Sequence, residues 1–338
     1  MPAQKDAHHS VLVTGAGGFI GLNLVEALLV RSTKVVAFSR EALPEQALAE
    51  FATLPGRLVV IEGDVCDSAL VARVLRSEAI SHVVHCAALT PSADADASRA
   101  RQVIEVNVVG TEILLEACAA AQVRRFILPS SSAVYGAAVF GKEPPDEATP
   151  PQPNSLYGIS KLSAECLGAH ARRARGLDVI VVRLTAMFGP WERANSTRDT
   201  PSPLWQIARC ALAAEPVCVH EGGGRDWTCS QDAAVILADL LEAGQLEHTL
   251  YNLSVGSIWH PRIFCEELAR RMPGFSWRQA DAAHPTNLRY YDQLDRQRVA
   301  LKAGHLAQLA QGQAEFLSPA RSAQRYADWV LKHPAWFR

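Results

Sequence analysis

A short apolar segment near the start of the chain leads directly into a glycine-rich turn and then into an apolar helical pattern. The segment is Val11-Leu12-Val13-Thr14, and the turn reads Gly15-Ala16-Gly17-Gly18-Phe19-Ile20-Gly21. A glycine triplet alone is weak evidence, but a strand before it and a helix after it are typical of a phosphate-binding crossover. Gly15 permits the tight turn, Gly18 lets the backbone approach a pyrophosphate, and Gly21 allows close helix packing. We therefore predict that a dinucleotide binds here, with contacts from Gly15, Gly18, Phe19, Ile20 and Gly21.

Strand-like and helix-like segments alternate along the chain. This alternation predicts an α/β fold, a Rossmann-type doubly wound parallel sheet that is covered by helices on both faces. In such a sheet, ligands bind beyond the carboxyl ends of the strands, which is where the glycine turn falls. The predicted strands are 11–14, 34–39, 58–62, 82–86, 125–130 and 178–184, and the predicted helices between them are 18–30, 68–76, 97–121 and 157–175.

The composition indicates an ordinary enzyme that acts on a small molecule. The chain has 338 residues, and its 33 basic and 35 acidic residues give a net charge of −2 without a basic stripe for nucleic acid. Eight cysteines without a Cys-x-x-Cys pair and eleven histidines without a ligand cluster predict reduced thiols and no metal site. The sequence shows neither a signal-peptide pattern nor a membrane-spanning apolar run, so we expect a cytoplasmic protein without a membrane partner.

Tyr157 and Lys161 are four residues apart in a predicted helix. That spacing places both side chains on one face, where an ammonium group can favour the phenolate form of a neighbouring tyrosine. A phenol normally titrates at about 10, so it needs such help to remove a proton from a substrate hydroxyl near neutral pH. Ser131 or Ser132, at the end of a predicted strand, could donate a hydrogen bond to the same substrate oxygen.

Several motifs together resemble those of the extended short-chain dehydrogenase/reductase family, which includes nucleotide-sugar epimerases and dehydratases. They cover most of residues 10 to 260 in the family's order. The matching segments are Thr14 to Gly21, Gly63-Asp64-Val65, His85-Cys86-Ala87-Ala88, Asn107 to Thr111, Ser130 to Gly136, Tyr157 to Lys161, Arg183 with Phe188-Gly189-Pro190, and Arg225-Asp226-Trp227.

The resemblance implies a role for each matching side chain. Tyr157 is then the catalytic acid/base, Lys161 holds the nicotinamide ribose and lowers the pKa of the phenol, and Ser131 is the catalytic serine. Ser132 becomes a substrate contact. The remaining cofactor contacts are Asp64 and Val65 beside the adenine, Ala87, Ala88 and Leu89 along the cleft, and Asn107, which either ties its helix to the sheet near the site or is a buried structural amide.

The end of the second strand predicts which dinucleotide binds. Proteins that prefer NAD carry an acidic residue there, which accepts hydrogen bonds from the ribose 2′-hydroxyl. This chain has Ser39 followed by Arg40, and a guanidinium can bind a 2′-phosphate. We therefore expect NADP to be favoured over NAD.

Two departures from the family pattern bear on the substrate. Ala186 stands where nucleotide-sugar enzymes usually have an asparagine that contacts the diphosphate, and residues 285–292 lack the usual Arg-Pro-Gly-Asp-like segment. The sequence therefore favours a smaller polyhydroxylated or hydroxy-acid substrate over a nucleotide sugar. Its candidate contacts are Trp191, which could stack on a ring, and Arg193, Arg198 and Arg225, which could bind a carboxylate.

Three functions remain open at this point. The first is a net oxidoreductase that transfers hydride at a secondary alcohol or ketone, the second is a nucleotide-sugar 4-epimerase with tightly bound NAD, and the third is a non-catalytic dinucleotide sensor. Dehydration is disfavoured because Ser132 and Ala133 stand where a dehydratase usually carries an acid/base pair. The presence of Tyr157 and Lys161 disfavours the sensor.

We also predict two domains and a homodimer. Residues 8–185 and 228–258 form the dinucleotide-binding domain, and residues 186–227 and 259–338 form a discontinuous substrate domain with helices at 205–214, 263–271 and 320–332. The resemblance implies that the dimer forms through helices 97–121 and 157–175 of each subunit.

Overall fold

A seven-stranded parallel sheet forms the centre of the molecule. The computed structural model describes residues 10–91, 98–290, 294, 296–309, 316 and 318–338. The strands of the sheet are β1 (Ser10–Thr14), β2 (Lys34–Ser39), β3 (Arg57–Glu62), β4 (His82–His85), β5 (Arg125–Ser131), β6 (Val179–Leu184) and β10 (Leu250–Leu253). Their spatial order is β10-β6-β5-β4-β1-β2-β3. The chain therefore reverses direction across the sheet between β1 and β4, and this switch point creates a crevice at the carboxyl edge.

Helices cover both faces of the sheet. They are α1 (Phe19–Val30), α2 (Glu45–Phe51), α3 (Ser68–Ser77), α4 (Ala100–Ile104, a π-helical turn at Glu105–Val109, and Gly110–Ala120), α5 (Leu156–Arg175) and α7 (Ser230–Glu242). Because side chains alternate along a strand, Val11 and Val13 of β1 pack into one core and Leu12 packs into the other. Helices α1 and α7 lie over the first core, and α3, α4 and α5 lie over the second.

Smaller elements follow the carboxyl end of β6. They are β7 (Ala186–Phe188), α6 (Pro203–Leu212), β8 (Val217–Val219), β9 (Trp227–Cys229), α8 (Arg262–Arg271), β11 (Trp277–Gln279), α9 (Gly304–Leu309) and α10 (Pro319–Lys332). Two additional two-stranded parallel sheets pair β7 with β9 and β8 with β11, and helix α10 packs against α8. Of the described helices, none is both long and apolar enough to cross a membrane.

The predicted fold class is confirmed. All six predicted strands are present, and each of their ends lies within one residue of its expected position. No prediction covered α2, α7, α9, β10 or the four short strands of the small sheets. The start of the predicted helix 97–121 lies outside the described residues, and the bounds of the two domains stay a prediction.

Candidate active site

The glycine-rich turn between β1 and α1 brings the backbone of two strands unusually close together. Gly15 has a φ of +63°, and a Cβ on it would lie 2.5 Å from the backbone nitrogen of Ala87, beyond the end of β4. Only glycine fits such an approach without strain. Gly18 is the N-cap of α1, and no described side chain caps this end of the helix. The first N–H groups of α1 therefore face the crevice and can bind an anion such as a pyrophosphate.

A cleft runs from this turn along the carboxyl edge of the sheet. Most of the predicted cofactor residues line it, namely Gly15, Gly18, Ser39, Arg40, Asp64, Val65, Ala87, Ala88 and Leu89. Six predicted residues do not, and two of these, Tyr157 and Lys161, lie on α5. Phe19 and Gly21 are buried in α1, Ile20 packs against the core, and Asn107 lies behind the cleft wall. Across the described ranges, no group of three histidine, cysteine or acidic side chains could hold a metal ion.

The end of β2 carries a carboxylate that the sequence analysis overlooked. Glu41 lines the cleft two residues after Ser39, and its carboxylate lies 3.9 Å from a terminal nitrogen of Arg40. The hydroxyl of Ser196 donates to Glu41 at 2.7 Å, and Nη2 of Arg40 donates to the same hydroxyl at 3.4 Å. The positive charge of Arg40 is therefore partly offset at the place where a 2′-phosphate would bind.

A segment after β7 forms a further wall of the cleft. Asn195 and Thr197 line it, and the Thr197 carbonyl accepts hydrogen bonds from the backbone N–H and the hydroxyl of Thr90 at 2.9 and 3.0 Å. Residues 195–198, which we call the strap, therefore connect the carboxyl ends of β2 and β4. We predicted no cofactor contact for the strap, because its path depends on Thr90 and Glu41, which lie more than a hundred residues earlier in the chain.

Ser131 and Tyr157 meet at the same edge of the sheet. Helix α5 begins after Ser155, whose hydroxyl caps it by accepting from the Gly158 N–H at 3.1 Å. This start directs Tyr157 towards the end of β5, where its phenol lies close enough to the Ser131 side chain for Ser131 to act on its pKa. Ser132 is the next residue and begins a 3₁₀-helical segment, Ser132–Phe140. The structure therefore brings together the hydroxyl groups that the sequence assigned to proton transfer.

The electrostatics of Tyr157 differ from the expectation. Burial raises the pKa of Tyr157 above its ordinary value, while the hydrogen bond from Ser131 and the positive charge of Arg198 act to lower it. The predicted lowering of this pKa by Lys161 is therefore wrong for this structure. Arg198 is held at the site because Glu192, which is fully buried, accepts from its Nη2 at 2.6 Å.

Lys161 lies deep in the structure, one helical turn after Tyr157. Its side chain is 5% exposed, and burial lowers the pKa of Lys161 to about 8. Electrostatic interactions with Cys86 and with Glu165, which lies one further turn along α5, oppose this shift. Lys161 is therefore an ammonium group close to its titration point at neutral pH.

Asn107 links three elements behind the cleft. Its amide donates to the Leu89 carbonyl at 3.1 Å and to the Ser160 hydroxyl at 3.0 Å, and its oxygen accepts from the Leu89 N–H at 2.8 Å. Ser160 in turn donates to the carbonyl of Tyr157 at 2.8 Å. The π-helical turn of α4 carries Asn107, and such turns often occur at functional sites. Asn107 therefore fixes α5 relative to the cofactor edge without lining the cleft.

The substrate candidates are placed differently from expectation. Trp191 is 0% exposed, packs edge-on against Trp329 and Trp336, and donates its indole N–H to Glu26 at 2.7 Å. No ring face is left for a substrate, so the predicted stacking role of Trp191 is wrong.

Besides Arg198, the two other arginines of the predicted substrate site lie in different surroundings. Arg193 lines the cleft. Arg225 is buried and donates to the carbonyls of Gly222 and Gly224 at 2.8 and 2.6 Å. The cleft lining therefore includes Arg193 but does not include Arg225.

Comparison with known proteins identifies the family. A sequence model of the NAD dependent epimerase/dehydratase family matches residues 11–254. The chain belongs to this family. It is therefore an enzyme of the extended short-chain dehydrogenase/reductase group, as the motifs had indicated.

Both sequence and structure relatives support this assignment. The human dTDP-D-glucose 4,6-dehydratase is 33% identical over 248 residues, which is 72% of this chain and 68% of that protein. The crystal structure of the Thermus thermophilus UDP-glucose 4-epimerase with NAD superposes with a TM-score of 0.76 at 25% identity, covering 95% of this chain and 99% of that one. MoeE5 in complex with UDP-glucuronic acid and NAD gives a TM-score of 0.73 at 27% identity, with 96% and 99% coverage. These structural neighbours bind NAD, and the expected preference for NADP gains no support from them.

Proposed function

We propose that this enzyme is a nucleotide-sugar epimerase that keeps NAD bound while it acts on a secondary alcohol. The observation that carries the proposal is that Ser131 and Tyr157 meet at the carboxyl edge of the sheet, the edge that also holds the glycine-turn cleft. The similar proteins named above are a dehydratase and an epimerase of nucleotide sugars and a protein solved with one. They support the nucleotide-sugar alternative better than the small polyhydroxylated substrate that the sequence analysis favoured.

The residues of the cleft fit NAD as cofactor. The uncapped first turn of α1 suits the pyrophosphate, and Arg193 adds a guanidinium to the cleft lining. Glu41 can accept hydrogen bonds from a ribose, and its charge disfavours a 2′-phosphate at that end. Equilibrium binding of NAD and NADP checks this assignment, and tighter binding of NADP would restore the original expectation.

The site residues can perform the proton transfers that an epimerase needs. NAD, when bound, supplies the acceptor for hydride. Tyr157 removes the hydroxyl proton of the sugar and later returns it, Ser131 orients the oxygen, and Lys161 supplies positive charge from the same helix. Burial raises the pKa of Tyr157, so the phenolate that removes the sugar's proton depends on Ser131 and on the charge of Arg198, which both act to lower that pKa. The phenol formed in this step then donates its proton when the ketone is reduced.

Dehydration is the second candidate, because the human relative is named as a dehydratase. That reaction needs an acid and a base besides the tyrosine to eliminate water. The positions that follow Ser131 hold Ser132 and Ala133, neither of which carries a carboxylate. This local chemistry favours epimerisation over dehydration.

Product analysis separates the candidate reactions. The purified enzyme is incubated with UDP-glucose, UDP-glucuronic acid or dTDP-glucose, and products are followed by NMR and mass spectrometry. We expect a diastereomer of unchanged mass without accumulation of reduced nicotinamide. Loss of water would instead identify a dehydratase, and stoichiometric reduction of added cofactor would identify a net dehydrogenase.

A pair of tyrosine variants tests whether Tyr157 is responsible for turnover. Tyr157→Phe removes the proposed acid/base, so turnover should fall at least about a hundredfold. Tyr326→Phe is the matched control, since that hydroxyl is buried without a hydrogen-bond partner among the described residues and lies away from the cleft. Full activity of Tyr157→Phe would overturn the assignment.

The exposed faces of α4 and α5 support the proposed homodimer. Ile104, Val109 and Ile159 are 37%, 47% and 46% exposed, although large apolar side chains are usually buried. A second copy of the chain would cover them by pairing the two helices of each subunit. Light scattering should show a dimer that Ile159→Glu weakens, and a monomer at all concentrations would contradict this arrangement.

A further inference from the structure

The strap, residues 195–198, crosses the carboxyl edge of the sheet beside the glycine turn. On one side it is bound to the loop after β2, where Ser196 donates to Glu41 at 2.7 Å. On the other side it is bound to the loop after β4, where Thr90 donates twice to the Thr197 carbonyl, from its backbone nitrogen at 2.9 Å and from its hydroxyl at 3.0 Å. Strand β1 lies between β2 and β4, so a segment that joins those two loops passes the end of β1.

The strap and the glycine turn are two walls of one cleft. Asn195 and Thr197 line this cleft together with Gly15. The strap also reaches helix α1, because the guanidinium of Arg198 lies 5.4 Å from the centre of the ring of Phe19, the first residue of that helix. A dinucleotide bound at the glycine turn would therefore be enclosed between this turn and the strap.

A buried carboxylate closes the base of the loop that carries the strap. Glu192 accepts from the backbone N–H and the hydroxyl of Ser202 at 2.7 and 2.5 Å. It also accepts from Nε and Nη2 of Arg198 at 3.2 and 2.6 Å. Positions 192 and 202 are thus held together while the residues between them extend to the cleft. Compact loops whose ends lie close together are frequently functional.

The base of this loop and the strap differ in their exposure to water. Glu192 and Ser202 are buried. Ser196 is exposed, and Thr90 and Thr197 are half-buried. Water can replace the partners of an exposed hydrogen bond at little cost, so local opening starts where the hydrogen bonds are exposed. The strap can therefore separate from the two strand ends while the base of the loop stays closed.

We propose that the strap is a latch that must open before NAD enters or leaves the cleft. The identity of the cofactor rests on the proposed function, but the latch does not depend on the sugar or on the reaction. Thr90 is not among the described residues that line the cleft, so it acts on the cofactor only through the strap. The bonds from Thr90 and Ser196 join protein groups to each other, and they slow the entry and the release of NAD alike.

The rates of cofactor exchange test the latch without any sugar. Stopped-flow fluorescence follows the entry of NADH into nucleotide-free protein, displacement by excess NAD gives its release, and equilibrium titration gives its affinity. Thr90→Val removes the hydroxyl that donates to the strap and keeps the branched shape of the side chain. Both rates should rise about fivefold, the effect of one lost hydrogen bond on the open fraction, and the dissociation constant should stay unchanged. Unchanged rates, or a change confined to one of them, would overturn the proposal.

A matched control comes from another threonine. The hydroxyl of Thr53 also donates to a backbone carbonyl, that of Glu50 at 2.7 Å. Among the described residues, Thr53 neither lines the cleft nor bonds to the strap. Thr53→Val should therefore leave both rates at their wild-type values. A control that changed the two rates as much as Thr90→Val does would show that the effect is not due to the latch.

A double variant tests whether the strap opens as one unit. Thr90→Val with Ser196→Ala removes one hydrogen bond on each side of the strap, so both rates should rise about twenty-five-fold. A double variant no faster than Thr90→Val alone would overturn the proposal. Wild-type protein that did not bind NADH would overturn the cofactor assignment and the latch together. Failure of the proposed epimerase activity would appear in product analysis alone and would leave the exchange rates as expected.

Discussion

Replacing Gly15 with alanine should damage both the stability of the fold and the dinucleotide cleft. Gly15 has a φ of +63°, and its missing Cβ would lie 2.5 and 2.6 Å from the nitrogen and Cα of Ala87. These are backbone atoms at the end of β4, which cannot rotate away as a flexible side chain would. To accept the methyl group, the end of β4 must separate from β1, and Thr14 is paired with His85 next to this point.

The magnitude can be worked out with a second glycine as a reference. Gly176, the C-cap of α5, has a φ of +67°, and a Cβ there would have no neighbour within 4 Å. Both substitutions carry the strain of a left-handed residue, about 1–2 kcal/mol, and both gain about 0.4–1 kcal/mol from a less flexible unfolded chain. Only Gly15→Ala adds overpacking, about 1–3 kcal/mol. The free energy of unfolding should therefore drop by about 1–3 kcal/mol more for Gly15→Ala than for Gly176→Ala.

Urea unfolding and NAD titration of the two variants measure this difference. Gly176→Ala should keep wild-type affinity, whereas Gly15→Ala should bind NAD weakly, since Ala87, Ala88 and Leu89 move with the end of β4. Equal losses of stability in the two variants, together with normal NAD binding by Gly15→Ala, would refute the steric reasoning. The two strand ends would then be more adaptable than the close approach suggests.

Three further outcomes follow from the structure. Burial lowers the pKa of His85 to about 3 from an ordinary 6.5, so the folded state resists protonation of this imidazole. The free energy of unfolding should therefore fall as the pH decreases between these two values. His85→Gln should flatten this slope in unfolding measurements between pH 7 and pH 5, and an unchanged slope would contradict the assignment. Cys166 alone among the eight cysteines is exposed, and it lies two turns after Ile159 on α5, so a maleimide should label it rapidly in the Ile159→Glu variant, in which the dimer is weakened. Cys166→Ser should abolish that labelling. Ser196→Ala removes the 2.7 Å hydrogen bond to Glu41, which is worth about 1 kcal/mol, and should speed NAD release about fivefold. Thr200→Ala, two residues after the strap, should leave the release rate unchanged.

The central sheet could be predicted from sequence because its signals are local. Runs such as Val11 to Thr14 are apolar and end at glycine or polar residues, and their helical partners follow within a few positions. The strand Leu250–Leu253 escaped prediction because it has four residues and carries the buried polar Asn252 in its middle. Asn252 is satisfied by Tyr135, which donates to it at 2.8 Å from a distant segment. No local sequence pattern predicts that hydrogen bond.

The walls of the site could be predicted only in part for the same reason. The residues just after each strand were found, since a parallel sheet brings its carboxyl ends to one edge. Glu41 and the strap were missed, because their positions depend on contacts with each other and with Thr90. Trp191 was misassigned since its ring partners, Trp329 and Trp336, lie more than 130 positions later in the chain.

The surroundings of Tyr157 explain why the four-residue spacing alone did not predict the pKa of its phenol. The four-residue interval correctly places Lys161 on the face of Tyr157, but burial acts on both groups and moves each towards its neutral form. Arg198 is the positive charge that acts on the phenol, and the buried Glu192 accepts a hydrogen bond from its Nη2 at 2.6 Å. The reactivity of the tyrosine therefore depends on an anion that holds its neighbouring cation, and Glu192→Gln should change the pH dependence of the enzyme without changing its reacting groups.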